Sequence, residues 1–247
     1  METVVFIKFL IGLILLLWAS RLDLRSRIVP NRVWKLFLAA LAPFTLYEVL
    51  FIPHSAMEMM LALFQLLFVS GIALAFYYLG FYGGADAKAL IVLSVLFPFY
   101  PEFGPFPLLV NGISFSFSTL ANSVIFAPLF AIFFFFRNLV KEGLSGIGKS
   151  ALYYFTGIKV YADRIPEHHS LLEFIDENGN LVRLKRGIEP DRKKIEMLKI
   201  AKQKGYVDRV WVTPQIPFIV FMTIGYTISF ILGDVLSTAV LLLFFSS

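Results

Sequence analysis

Two aspartates are placed where acid–base chemistry is possible. Asp23 lies in Asp23-Leu-Arg25-Ser-Arg27-Ile28-Val29-Pro30-Asn31, at the end of the first long apolar run. Asp86 lies in Gly83-Gly84-Ala85-Asp86-Ala87-Lys88, at the start of the fourth. Two carboxyl groups brought close together cannot both ionise cheaply, so one keeps a proton while the other can activate water. An aspartate at a helix N-terminus is also an ordinary cap, which would suffice for Asp86. At a helix C-terminus the carboxylate opposes the helix dipole, so a local cap explains Asp23 poorly. The surroundings of Asp86 carry little bulk: two glycines and an alanine allow a sharp turn and the close approach of an extended chain. Pro30-Asn31 reads as a turn that redirects the chain after Asp23.

The elements that must position this pair are membrane spans. Of the 247 residues 58% are hydrophobic and 16% charged, against about 25% charged in soluble domains. Since a spanning helix needs roughly 20 mostly apolar residues, the spans are expected at residues 3–20, 33–52, 57–82, 87–100, 117–136 and from 216 toward 245. The fourth is short, about 21 Å at 1.5 Å per residue. No basic n-region or small-residue cleavage site marks the first span as a signal peptide.

Arg21, Arg25, Arg27 and Arg32 cluster between the first and second spans with Lys35 just inside the second, Lys88 follows the third, and Arg137 with fourteen further Lys or Arg follows the fifth. The alternate loops, 53–56 and 101–116, contain none. The positive-inside rule then places the basic loops and both aspartates at the cytoplasmic face, with both termini outside. Lys8 departs from the pattern and is expected to snorkel to the interface. Glu48, Glu58 and Glu102 are expected to be solvated carboxylates at the outer face, and Asp234 to mark the outer end of the last span.

The fold class expected is therefore an all-α polytopic membrane protein of six transmembrane helices, with a small α+β cytoplasmic domain between helices 5 and 6. Residues 1–138 form the membrane domain, 139–213 the insert, and 214–247 the last helix and tail. Within the insert, Asn178-Gly179 between two strand-like runs predicts a β-hairpin. Residues 190–204 predict a basic amphipathic helix closed by Gly205, and residues 207–212 a third strand.

The absence of cysteine excludes disulfides, thiolate metal sites and cysteine nucleophiles. His54, His168 and His169 lack a third ligand at useful spacing, so neither a metal nor any other cofactor is expected. The net charge of +5 reads as orientation and contact with anionic membrane lipid, not as a nucleic-acid surface.

The two aspartate segments resemble the signature of the type IV prepilin peptidase family, most closely its short archaeal preflagellin peptidases. That signature pairs an aspartate and basic stretch before Ile-Pro-Asn with Gly-x-Gly-Asp. Here the first is Asp23 with Ile28-Val29-Pro30-Asn31, one residue looser, and the second has Ala85 in place of the second glycine. Val212-Thr213-Pro214-Gln215-Ile216-Pro217-Phe218 is similar to the family's entry into the last helix.

The resemblance implies an aspartic endopeptidase in the plasma membrane, removing a short basic leader from preflagellin- or prepilin-like proteins. Asp23 and Asp86 would be the acid–base pair, in either order. Gly83, Gly84, Ala85, Lys88, Pro30 and Asn31 would support loop and substrate. Bacterial relatives that also methylate the new N-terminus carry a cysteine-bearing insert. Zero cysteines and a start directly at the first span argue against that second activity here. Two other readings carry different expectations. A presenilin-like intramembrane protease would hold its aspartates in neighbouring later helices, and an ion-coupled transporter would hold them near the midplane of an inverted repeat.

Overall fold

The computed structural model describes residues 2–81, 83–109 and 111–245. In chain order the elements are α1 (Glu2–Ser26), α2 (Asn31–Phe51), α3 (Ala56–Tyr78), α4 (Gly84–Leu96), α5 (Phe115–Val124), α6 (Phe126–Glu142), a short 3-10 turn (Leu144–Gly146) and α7 (Ile147–Thr156). Then follow β1 (Ile158–Tyr161), β2 (His169–Ile175), β3 (Leu181–Ile188), α8 (Arg192–Gln203), β4 (Arg209–Pro214), α9 (Phe218–Ile231) and α10 (Val235–Phe245). The chain divides into two compact units, Met1–Phe126 with Pro217–Ser247, and Ala127–Ile216.

Among the described residues, four helices are long and apolar enough to cross a membrane: Glu2–Ser26, Asn31–Phe51, Ala56–Tyr78 and the stretch Phe115–Glu142. A fifth span results if α9 and α10, bent by 60° at their junction, count as one. The expected fourth span is α4, whose 13 residues rise only about 20 Å, below the length of a full crossing. It begins at Gly84 instead of Ala87, because Asp86 caps the helix from inside its first turn. The expected third span ends at Tyr78; its expected last residue, Tyr82, lies outside the described residues.

The first unit buries narrow stripes and leaves apolar side chains facing outward, the pattern of helices solvated by lipid. On α1, Val5, Phe9, Gly12, Leu16, Ala19 and Asp23 recur at three- and four-residue spacing on the buried face, while Leu10, Ile14, Leu17 and Leu24 are exposed. On α3 the buried stripe is Ala62, Gln65, Val69 and Ala73. Aromatic rings fill the centre: Phe9 stacks on Phe230 at 3.8 Å between centroids and on Tyr226 at 5.2 Å, and Tyr226 meets Phe97 and Phe115 edge-on. Small residues let the backbones approach. A side chain at Gly225 of α9 would run into the Thr119 carbonyl and Ser123 of α5.

Three ionisable groups buried inside this unit, Lys8, Glu48 and Asp234, are paired, which corrects the expectations for the first two. Lys8 does not snorkel: it is buried and donates to Glu48 Oε2 at 2.6 Å, with its ammonium 4.7 Å from the centre of the Phe97 ring. Glu48 is accordingly a buried ion-pair partner instead of a solvated carboxylate, whereas Glu58 and Glu102 are exposed. Asp234 is fully buried; its carboxylate accepts from the backbone N–H of Ser237, capping α10, and from Ser118 Oγ at 3.0 Å. Low-dielectric surroundings make an unpaired charge too costly, so Lys8, Glu48 and Asp234 each take a partner from another helix.

In the second unit the four strands form an antiparallel sheet in the order β1-β4-β2-β3. The predicted hairpin is β2–β3, with Gly179 at φ +83 and Asp176 Oδ1 accepting from the backbone N–H groups of Asn178 and Asn180. The predicted basic helix is α8, capped by Asp191, and the predicted third strand is β4. β1 and α7 were not legible. β1 is four residues long and half-buried, and it exists because β4 pairs with it.

Candidate functional site

Asp23 and Asp86 both belong to the first unit and are both buried. Each is held at the positive end of a helix. Asp86 is the third residue of α4, and its Oδ2 accepts from the backbone N–H of Gly83 at 2.9 Å. This is half of a capping box, since glycine has no side chain to return the bond.

Asp23, in the last turn of α1, opposes its own helix dipole, but the compensation comes from elsewhere in the chain. The backbone N–H of Ile219, in the first turn of α9, faces its carboxylate. α9 begins after Pro217 with no side-chain cap of its own, so the Ile219 N–H in its first turn can take a partner from outside the helix. Ser20 and Thr223 hold α1 against α9 through a 2.8 Å hydroxyl pair, one turn further into the helices. The two carboxylates are close enough for the charge of Asp23 to act on Asp86.

Arg27 completes the surroundings of Asp23, and sequence reading did not single it out. Its backbone adopts φ 55, which lets its N–H bond the Asp23 carbonyl at 2.9 Å and ends α1. Its guanidinium faces the Asp23 carboxylate, while Nε and Nη1 are buried without a hydrogen-bond partner. The signal was present as the four-residue spacing Asp23-x-x-x-Arg27, which on a helix end brings the two side chains to one face.

The remaining singled-out residues divide. Lys88 Nζ donates to Asn31 Oδ1 at 2.8 Å, so the two motif segments meet. Pro30 is the N-cap of α2, in extended geometry that its ring favours, and its carbonyl accepts from Val33 N–H. The sharp turn expected at Gly83-Gly84 is made instead at Gly80, which at φ 66 closes α3 with the paired bonds Gly80 N–H to Tyr77 O and Phe81 N–H to Phe76 O. Gly83 is extended at φ −77, and a side chain there or at Gly84 would make ordinary van der Waals contact. Ala85 is half-buried against the helix core. Among the described residues, no group of three or more His, Cys, Asp or Glu is placed to hold a metal ion.

Fold and site together define a polytopic membrane protein with an attached α+β unit and two buried carboxyl groups gathered at helix termini. The type IV leader peptidase family model matches residues 10–136, and that of the archaeal peptidase A24 C-terminus, type II, matches residues 149–235. A preflagellin peptidase of Methanococcus maripaludis is 27% identical over 243 residues, covering 92% of this chain and 96% of that one. The preflagellin peptidase of Methanocaldococcus jannaschii is 27% identical over 241 residues, covering 92% and 94%. That of Methanococcus voltae is 28% identical over 267 residues, covering 95% and 99%. The chain belongs to the type IV leader peptidase family and is a membrane peptidase.

Proposed function

We propose that this protein is an aspartic endopeptidase that removes the short basic leader of preflagellin- or prepilin-like proteins at the cytoplasmic face of the plasma membrane. The observation that carries this reading is the gathering of Asp23 and Asp86, each at a helix N-terminus, beside the Asn31–Lys88 bond. The names of the relatives support the substrate class.

In the reaction one carboxyl group holds a proton and the other is ionised. The carboxylate takes a proton from water as its oxygen attacks the scissile carbonyl, and the carboxylic acid protonates the developing oxyanion. Collapse of the resulting gem-diol breaks the C–N bond: the leaving amine takes the proton that the base acquired, and a gem-diol hydroxyl returns its proton to the other carboxylate, leaving a carboxylic acid product and the pair singly protonated again. The two carboxyl groups are the chemical participants, and no cofactor enters the reading. Gly83, Gly84 and Ala85 leave room for the substrate backbone near Asp86, and Lys88, Pro30 and Asn31 fix the loops on either side.

The six-span topology remains part of the proposal. It takes α4 as the short fourth crossing and α9 with α10 as the last, with both termini outside and residues 139–213 in the cytoplasm. That orientation suits a substrate whose basic leader stays in the cytoplasm while its apolar helix lies in the membrane and contacts lipid.

The test is cleavage of a preflagellin in membranes, with N-terminal mapping of the product. Asp23→Asn and Asp86→Asn are expected to remain folded and to abolish cleavage. Wild-type cleavage by either variant rejects the assignment.

A further inference from the structure

The second unit carries an apolar surface that its own core does not use. α7 is held to the sheet by one face only. Tyr153 and Tyr154 are buried against Trp211 and Leu172, the Tyr153 hydroxyl donates to the Leu184 carbonyl at 2.9 Å, and the Tyr154 hydroxyl to the Gly143 carbonyl at 2.8 Å. The opposite face presents Ala151, Leu152 and Phe155 outward. Leu144, in the turn before α7, and Val140, in the last turn of α6, are 74% and 85% exposed. Such exposure on neighbouring apolar residues calls for a partner.

α6 indicates which partner. Leu129, Ile132, Phe133, Phe136 and Val140 are exposed at three- and four-residue spacing along one side of a helix that belongs to a membrane-crossing stretch. Lipid covers the early part of that stripe, and the stripe continues without a polar break into Val140 and Leu144. Phe155 of α7 stacks on Phe135 of α6 with centroids 4.7 Å apart. Phe135 precedes Arg137 and so lies within the apolar part of the span, and the ring packed on it must sit at a similar depth. Arg137 and Lys141 add cations at the height expected of headgroups.

We propose that α7 is an interfacial membrane anchor: the face formed by Leu152 and Phe155, with Leu144 and Val140, lies among headgroups and upper acyl chains and ties the α+β unit to the bilayer surface. Helices with one apolar face and flanking cations bind membranes in this way. The inference does not depend on the protease chemistry.

The chain contains no cysteine, so single-cysteine labelling is unambiguous. Spin labels are attached to Leu152→Cys and, as a second site, Leu144→Cys, in full-length protein reconstituted into vesicles of phosphatidylcholine and phosphatidylglycerol. Glu177→Cys, in the exposed β2–β3 turn, is the aqueous reference. The expected result is an oxygen-to-nickel-chelate accessibility ratio several-fold higher at both anchor sites than at Glu177. A ratio equal to the reference, with both relaxants reaching the label, overturns the proposal. Protection from both relaxants shows a protein-covered face and also overturns it.

Discussion

Lys88 Nζ donates to Asn31 Oδ1 at 2.8 Å, joining the second turn of α4 to the first residue of α2. The two motif segments, separated by two whole helices in sequence, are thereby linked within the first unit. Asn31→Ala and Lys88→Met are each expected to lower cleavage by about 2- to 10-fold, the range for one lost hydrogen bond at an exposed site. The double variant is expected to lose no more than the worse single one, because the two share one interaction. Kinetics of all three variants in membranes check this; full additivity would show that the pair does not act together.

Arg27 faces the Asp23 carboxylate with Nε and Nη1 unpaired. If Asp23 reacts as proposed, a half-buried cation beside its carboxylate fixes its charge and position without rearrangement. Arg27→Gln is expected to lower kcat by about 10-fold or more with little change in KM, and Arg27→Lys to restore part of it. An unchanged kcat in the glutamine variant would remove Arg27 from the working site.

Lys8 and Glu48 form a buried pair at 2.6 Å between α1 and α2. Removing one partner strands the other charge, at a cost of about 3–5 kcal/mol. Lys8→Met and Glu48→Gln are each expected to destabilise the protein in detergent unfolding titrations, and Lys8→Met with Glu48→Leu to regain most of the loss. Single variants as stable as the parent protein would mean that the pair is solvated in the membrane.

Gly225 lies where α9 crosses α5, and a Cβ there meets the Thr119 carbonyl, a backbone atom that cannot rotate away. Gly225→Ala is expected to cost about 1–3 kcal/mol through overpacking. Gly71 of α3, whose added Cβ meets nothing within 4 Å, is the control: Gly71→Ala is expected to be neutral or slightly stabilising. Equal thermal stability of the two variants would contradict tight α5–α9 packing.

In the second unit, Lys194 holds the Asp191 carboxyl below the usual carboxylate range, first through its side chain and then through its backbone N–H at the start of α8. The folded state therefore binds the proton less readily than the unfolded chain. The resulting stability is present above the unfolded value of about 3.9 and is lost as pH falls through the lower folded one. Asp191→Asn keeps a capping oxygen but removes this dependence, so it is expected to be less stable than the parent at pH 5, with a smaller gap at pH 3. Thermal unfolding at both pH values measures the difference. A gap that widens on acidification would reverse the sign.

The sequence by itself determined the features that rest on local patterns. Apolar runs marked the four helices long enough to cross a membrane among the described residues, Asn178-Gly179 marked the hairpin, the run from Pro190 to Lys204 marked α8, and the neighbours of Asp23 and Asp86 singled out those two residues. Each depends on interactions among residues a few positions apart, so composition and spacing suffice. Only the tertiary structure decided the rest. It placed the N-terminus of α9 against Asp23, paired Lys8 with Glu48, buried Asp234 against Ser118, and moved the turn before α4 from Gly83-Gly84 to Gly80. A buried charge must find a partner inside a low-dielectric interior, but its own neighbours in sequence do not say which helix supplies it. For Asp23, the pairing that local reasoning could not explain is a helix terminus nearly two hundred residues away.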